Sequence, residues 1–316
     1  MPTDRKALKR SLSTNFDPGP RHHVERALLR ARQATHLPLL LAGKSLDRPI
    51  FIIGAPRSGT SMLYSILRSS PRLAHWPGEA HEVWEADYHP ALRDWESNAL
   101  DETDATPEAA ARIKRSFLLV AGTRRRLIDK TPRNSLRVAF VDALFPDARY
   151  VFLRRDGRDN VNSLINAWRT PRYRTYRLPE PHSIPGVDPA WWKFVLYPGW
   201  REDTGGPLEV VCAQQWALSN EHALGARSSV GARWIDVRYE DLASDPVGET
   251  RRVAGALDLP FDRKLEDRAA ASISAPVNVV TPPEAGKWRR ENPREIESVM
   301  PLIEPAMAAL GYSADA

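Results

Sequence analysis

The chain has 316 residues, with 45 Lys and Arg against 40 Asp and Glu for a formal charge of +5, and its isoelectric point is near 9.4. Its 42% hydrophobic and 27% charged residues are those of a globular protein, and no apolar run approaches the roughly 20 residues that a membrane-crossing helix needs. The single cysteine, Cys212, excludes an intrachain disulfide and a cysteine-based metal site, and the eight histidines show no zinc-binding spacing.

The first twenty residues, MPTDRKALKRSLSTNFDPGP, are basic but lack an apolar h-region and a small-residue cleavage site. They read as an arm of a cytoplasmic protein. The positive charge suits an anionic ligand. Nucleic acid is not expected, because the arginines are spread along the chain and no nucleic-acid motif accompanies them. Residues 21–42 have helical spacing through Val24, Ala27, Leu28 and Ala31. That helix would pack on the core or on a partner subunit, so a homo-oligomer formed through it is one expectation. The arm and helix occupy 1–47, and a single domain is expected over 48–316.

Four short apolar runs follow: PIFII (49–53), RLI (126–128), RYVFL (149–153) and WIDVRY (234–239). Continuous rather than alternating apolar character suits strands buried on both faces of a parallel sheet. NSLRVAFVDALF places Leu136, Phe140, Val141 and Leu144 on one helical face, and DPVGETRRVAGALDL repeats a helical pattern after a strand. Strands alternating with helices predict an α/β fold, a doubly wound parallel sheet flanked by helices. Residues 170–207 break the rhythm with dense Pro, Gly, Trp and Tyr, the composition of a structured aromatic loop over a site. Trp191, Trp192 and Trp200 of this insert would stack on a sugar ring or shelter a lipid or aromatic compound.

Between the first strand and its helix lies GAPRSGTSML (54–63). Gly54 and Gly59 keep the spacing of a P-loop and Ser61 its hydroxyl position, but Thr60 stands where a nucleoside-triphosphatase has lysine. Glycines let backbone N–H groups approach an anion, and the helix beginning near Gly59 aims its positive end there. The cation has moved into the loop as Arg57, whose planar fork suits one terminal phosphate or a phosphosulfate bridge. A second strand-to-helix turn, RYVFLRRDGRDNVNSLINAW, sets Arg155 eight residues before Ser163.

These two turns, joined by DKTPRNSL and FPDARYVFLRRDGRD and followed by VRYEDLASDP and GKWRRENPREIESVMPLIEPAMAALGY, resemble the sulfotransferase superfamily. The likeness is to its Arg-type branch, with the tyrosylprotein, Golgi and bacterial members, and runs from about residue 49 to 312. It implies transfer of a sulfonyl group from 3′-phosphoadenosine 5′-phosphosulfate to a hydroxyl-bearing acceptor (a glycan, lipid or small natural product), without a metal and leaving adenosine 3′,5′-bisphosphate. By the same resemblance Arg57, Ser58, Gly59, Thr60 and Ser61 hold the 5′ end, and Arg155 and Ser163 the 3′-phosphate. Arg57 also stabilises charge on the leaving phosphate. Tyr239 matches a donor-site tyrosine, with a buried strand aromatic as the other reading. Lys130 matches a lysine near the transferring group, against a surface pair with Asp129. Lys287 would close over the nucleotide with Trp288 beside it, and Ser272 or Ser274 would offer a hydroxyl to the sulfonyl oxygens.

The acceptor must lose a proton, so a base is required within hydrogen-bond reach. RLAHWPGEAHEVWEADYHP (72–90) supplies Glu79, His81 and Glu82. The resemblance points to Glu79, which follows a glycine, although the spacing departs from the tyrosylprotein pattern by about two residues and Ala80 replaces its second glutamate. Two other functions stay open. One is a P-loop small-molecule kinase, against which Thr60 and the Arg155–Ser163 pair count. The other is a non-catalytic nucleotide-binding relative.

Overall fold

In the computed structural model, residues 20–274, 280 and 284–313 are described, so the N-terminal arm lies outside the described residues. Five parallel strands form the central sheet: β1 (Ile50–Ile53), β2 (Leu73–Ala74), β3 (Arg126–Asp129), β4 (Arg149–Arg154) and β7 (Trp234–Arg238), in the order β2-β3-β1-β4-β7. Ile50 pairs with Ile128 on one side and Arg149 on the other, and Tyr150 pairs with Trp234. Alternate residues of these strands enter two separate cores. Phe51, Ile53, Tyr150 and Phe152 face one, and Ile50, Ile52, Val151 and Leu153 the other. Both faces are therefore dry, which is why the strands read as continuous apolar runs.

Helices cover each face. Thr60–Leu67, Pro246–Ala256 and Arg263–Ala270 complete the smaller core, while Pro107–Ala121, Gly157–Arg169, Leu208–Gly225 and Pro293–Ala309 complete the larger one. The α/β class and the four expected strands hold, with two differences. β2 is a two-residue edge strand too short to leave a pattern, and Tyr239 opens a helix, Tyr239–Ser244, instead of ending β7. Helix Pro20–Leu41 packs on Pro107–Ala121 of its own chain, where the His36 Nδ1 and the Leu119 carbonyl oxygen are 2.9 Å apart. Phe140, Val141 and Leu144 are buried on one helix, Val138–Leu144, as their spacing predicts, while Leu136, expected on the same helix, is buried from the preceding 3-10 turn, Pro132–Leu136. Among the described residues, no helix is long and apolar enough to cross a membrane.

The aromatic insert is a wall of the fold, built on a hairpin of β5 (Arg174–Arg177) and β6 (Trp191–Lys193). Trp192 and Trp200 are buried, at 0% and 6% exposure, and Trp192 packs edge-on to Trp168 at 5.3 Å. This corrects the expectation that they would stack on a substrate: both are already engaged by the core. The buried Lys193 ammonium donates to the carbonyls of Ala167, Trp168 and Thr170, capping the end of helix Gly157–Arg169. It gives the Trp168 and Thr170 carbonyls a donor, adds to the bonds that Ala167 already accepts from Thr170, and ties the insert to the helix carrying Ser163. Lys193→Met keeps the stem but loses the donors, so stability should fall by about 1.5–3 kcal/mol. The urea midpoint measures it, and an unchanged midpoint would remove the capping role.

Candidate active site

Parallel strands put the chain's reactive turns at one edge of the sheet, beyond the carboxyl ends. Past β1 the chain turns through residues 54–59. A Cβ at Gly54 would lie 2.5 Å from the Leu153 carbonyl oxygen, and one at Gly59 (φ 99°) would run into the Tyr239 ring, so only glycine lets the turn close. Arg57 sits in the left-handed region at φ 71°. Its Nε donates to Ser163 Oγ at 3.3 Å and its Nη1 to the Tyr173 hydroxyl at 3.3 Å. Asn160 Nδ2 holds the Pro56 carbonyl at 2.9 Å, which fixes the loop to the neighbouring helix.

Beyond β4, Arg155 Nη1 donates to the Arg57 carbonyl at 3.1 Å, and its guanidinium lies 4.5 Å from the Tyr239 ring centre. Arg155 Nε and Ser58 Oγ are buried without a partner. Buried donors are seldom left unmatched, and here one belongs to the glycine turn and the other to the turn beyond β4, beside a desolvated cation. Burial pushes the Arg57 guanidinium below its ordinary value, and the nearby Arg155 and Arg172 push the same way. An oxyanion fits these residues.

Beyond β3 stands Lys130, 3% exposed. Its ammonium donates to Ser61 Oγ at 3.2 Å and pairs with Glu79 Oε1. Glu79 Oε2 lies 2.6 Å from His81 Nε2. Burial favours the neutral acid at Glu79, yet Lys130 and the His81 contact outweigh it and hold the carboxyl far below the usual range. Burial, with the Arg133 guanidinium adding to it, lowers His81. The ring is therefore neutral near pH 7 and Nε2–H donates to the carboxylate. Glu82, the third candidate base, is exposed and accepts from Trp76 Nε1 at 3.0 Å.

A family model, described as "Sulfotransferase family", matches residues 49–183 and 191–263. The chain belongs to the sulfotransferase family, and it is an enzyme of that family. Among its relatives, protein-tyrosine sulfotransferase A of Caenorhabditis elegans is 26% identical over 294 residues, covering 84% of this chain and 68% of that protein. The protein-tyrosine sulfotransferase of Drosophila melanogaster is 24% identical over 83% of this chain, which spans 51% of its length. The crystal structure of sulfotransferase STF9 from Mycobacterium avium shares the fold with a TM-score of 0.57 at 17% identity, covering 90% of this chain and 82% of that one.

In this sulfotransferase most of the expected residues converge. Arg57, Ser163, Arg155 and Tyr239 form one connected group and Ser61, Lys130, Glu79 and His81 another, joined through the loop. Lys287 pairs with Glu291 at 3.2 Å, and Glu291 also accepts from Asn162 and Asn166, so this segment lies over the helix of Ser163. Ser272 and Ser274 turn their hydroxyls back to the carbonyls of Ala269 and Ala271, giving no support to the sulfonyl-contacting role expected of them.

Two features escaped the sequence reading. One is Tyr173 against Arg57, for which a tyrosine at the start of an aromatic insert was the only signal. The other is a buried network beneath Glu79. Glu85 pairs with Arg133 and accepts from the Tyr176 hydroxyl at 2.7 Å. Asp129 accepts from Trp84 Nε1 at 3.0 Å and Asn134 Nδ2 at 3.3 Å.

The network predicts a two-sided acid response. Burial favours protonated Glu85, but Arg133 holds it down to about 2 from an ordinary 4.5. Its contribution is present above 4.5 and is lost as pH falls toward the folded value. Burial pushes Asp129 up to about 6 from 3.8. Its ionisation therefore costs stability above that value, and the cost is relieved as pH drops. Asp129 therefore contributes a rise in the urea midpoint as pH falls through 6, set against the loss from the lowered His81 in the same range, and Glu85 contributes a decline below 4.5. Glu85→Gln should flatten the lower limb and Asp129→Asn the upper. A variant curve parallel to the parent's would remove the corresponding assignment.

Proposed function

We propose that the chain transfers the sulfonyl group of 3′-phosphoadenosine 5′-phosphosulfate to a hydroxyl acceptor. The observation that carries the reading is Lys130, whose one ammonium joins Ser61 of the phosphate loop to Glu79. A base held that close to an anion-binding turn is what an in-line attack next to the phosphosulfate requires. Ser58, Gly59, Thr60 and Ser61 would hold the 5′ end, and Arg155 and Ser163 the 3′-phosphate, with Tyr239 and Lys287 alongside.

Glu79 would take the proton as the acceptor oxygen forms its bond to sulfur and the bond from sulfur to the 5′-phosphate oxygen breaks. Arg57 would neutralise charge growing on the departing adenosine 3′,5′-bisphosphate, and Lys130 charge on the transferring group. A carboxylate held by Lys130 is a weak base. It gains basicity as the ammonium shifts toward the donor, which couples proton uptake to transfer. The relatives named above act, by their names, on protein tyrosine. That likeness supports a phenolic hydroxyl over the glycan, lipid and small-natural-product acceptors.

Donor identity is tested by melting temperature without magnesium. Adenosine 3′,5′-bisphosphate at a hundred times its dissociation constant should stabilise by about 2.7 kcal/mol, AMP much less, and Arg155→Ala should abolish most of the difference. Equal shifts for the two nucleotides would remove the 3′-phosphate assignment. A magnesium-dependent shift with ATP alone would favour a kinase.

The base is tested by Glu79→Gln, which keeps shape but cannot take the proton. Turnover should fall on the order of 10²- to 10⁴-fold with donor affinity nearly unchanged. His81→Ala, which removes only an orienting hydrogen bond, should lose less. Full activity in Glu79→Gln would move the role elsewhere.

A further inference from the structure

His81 stands between Glu79 and a buried charge pair. Its Nε2 lies 2.6 Å from Glu79 Oε2. The Glu85 backbone N–H donates to the His81 carbonyl at 2.8 Å and closes the short turn His81–Trp84. Four residues apart on that turn, the His81 and Glu85 side chains are neighbours. Glu85 pairs in turn with Arg133, which is 7% exposed and lies 4.6 Å from the Tyr176 ring centre. A continuous run of contacts thus leads from Glu79 to a buried guanidinium.

The other ring nitrogen, Nδ1, is buried and finds no hydrogen-bond partner among the described residues. Protonating it would create an unmatched buried donor as well as a buried charge. Glu79 and Glu85, on the same segment as the ring, favour that charge, while Glu82 is bound to Trp76. Helix Pro107–Ala121 packs on the turn and offers Arg112, which pairs with Asp87. From β3 and the turn after it come Asp129, held by Trp84 and Asn134, Lys130, paired with Glu79, and Arg133. Arg137 and His89 act on Glu85. After burial, Arg133 is the largest single influence on the ring, and it opposes the charge.

We propose that Arg133 is a positioning residue for the base: by keeping His81 a neutral Nε2–H donor, it leaves Glu79 facing one cation, Lys130, instead of two. The inference rests on the sulfonyl-transfer reading above, in which Glu79 takes the proton. A carboxylate clamped between an ammonium and an imidazolium would hold its charge too tightly to accept one. The neutral ring still gives Glu79 a hydrogen bond that fixes its orientation. Glu85 and the Tyr176 ring allow a guanidinium to be kept at this depth, because an unpaired buried one would be costly.

The test follows the ring directly, by nitrogen NMR of the full chain labelled at histidine and saturated with adenosine 3′,5′-bisphosphate. Beside it runs the pH profile of sulfonyl transfer to p-cresol, and His81→Gln identifies the resonance. In the parent, the neutral Nε2–H pattern should persist to about pH 5.5, below the ordinary value of an imidazole. Glu85→Gln combined with Arg133→Gln removes both charges of the pair at nearly constant shape. The ring should then become charged as pH falls below about 6.5. A second cation lowers a carboxylate by roughly 1–3 units, so turnover relative to the parent should fall about 3- to 10-fold across that range, with nucleotide affinity unchanged. Arg133→Lys, which keeps the charge, should keep the neutral ring. A ring as neutral in the double variant as in the parent would overturn the assignment. So would a loss of turnover equal at every pH, which is what a merely structural role predicts. Should the double variant fail to fold, Glu85→Met with Arg133→Met, an apolar replacement of the pair, gives the same reading. A ring that becomes charged only without Arg133, in a protein that sulfonates no acceptor, would sink the reaction and leave the control of His81 standing.

Discussion

An ammonium removed from water needs partners that replace its hydration, and Lys130, at 3% exposure, finds them in two different parts of the site. Ser61 belongs to the turn after β1, and Glu79 to the segment after β2. The sheet makes this possible. β3 lies between β2 and β1, so the residue that leaves its carboxyl end emerges between the two turns. Arg155 leaves β4 and Tyr239 follows β7 along the same edge, which continues the row of site residues in the order of the strands. The spacing of Glu79, the loop at 54–59 and Arg155 thus follows the inter-strand spacing.

That edge is closed by buried charge on one side and by aromatic packing on the other. Beneath Glu79, the Glu85–Arg133 pair and the Tyr176 hydroxyl tie the segment carrying Glu79 to the insert. A buried pair of this kind is weak evidence for stability, because desolvation opposes the attraction, but removing one partner leaves an uncompensated charge. Its effect here is positional, since it determines where the hairpin sits. Lys193 fastens the other strand of that hairpin to the helix of Ser163, and with both strands tied the insert is a fixed wall of the site.

The parts of this arrangement legible in the sequence are those that depend on backbone geometry near the chain itself. The phosphate turn is readable because Gly54 and Gly59 each occupy a place a Cβ would fill, and the parallel sheet because strands buried on both faces cannot alternate. Glu79, His81 and Glu82 are all visible as candidates in the sequence, but the contact of Glu79 with His81 is not, because it depends on a one-turn helix at His81–Trp84. The aromatic insert misled for a physical reason. Composition does not say which face of a hairpin is buried, so Trp192 and Trp200 read as ligand-facing when they are core, while Tyr173, which holds Arg57, passed unremarked.

Arg57 is a buried cation without an anionic partner among the contacts of its side chain. Its partners are neutral: the hydroxyls of Ser163 and Tyr173 and the Tyr173 ring. Arg155 and Arg172 both repel it, and burial denies it full hydration, so each of these influences lowers its affinity for the proton. A cation held in that state gains most from an anion delivered to it, because in a low-dielectric turn the attraction is poorly screened. In a nucleoside-triphosphatase the phosphates meet a lysine and a metal ion together. Here the fixed cation stands in the loop, where Thr60 replaces the lysine, and its contacts with Ser163, Tyr173 and Arg155 hold it in a left-handed backbone conformation.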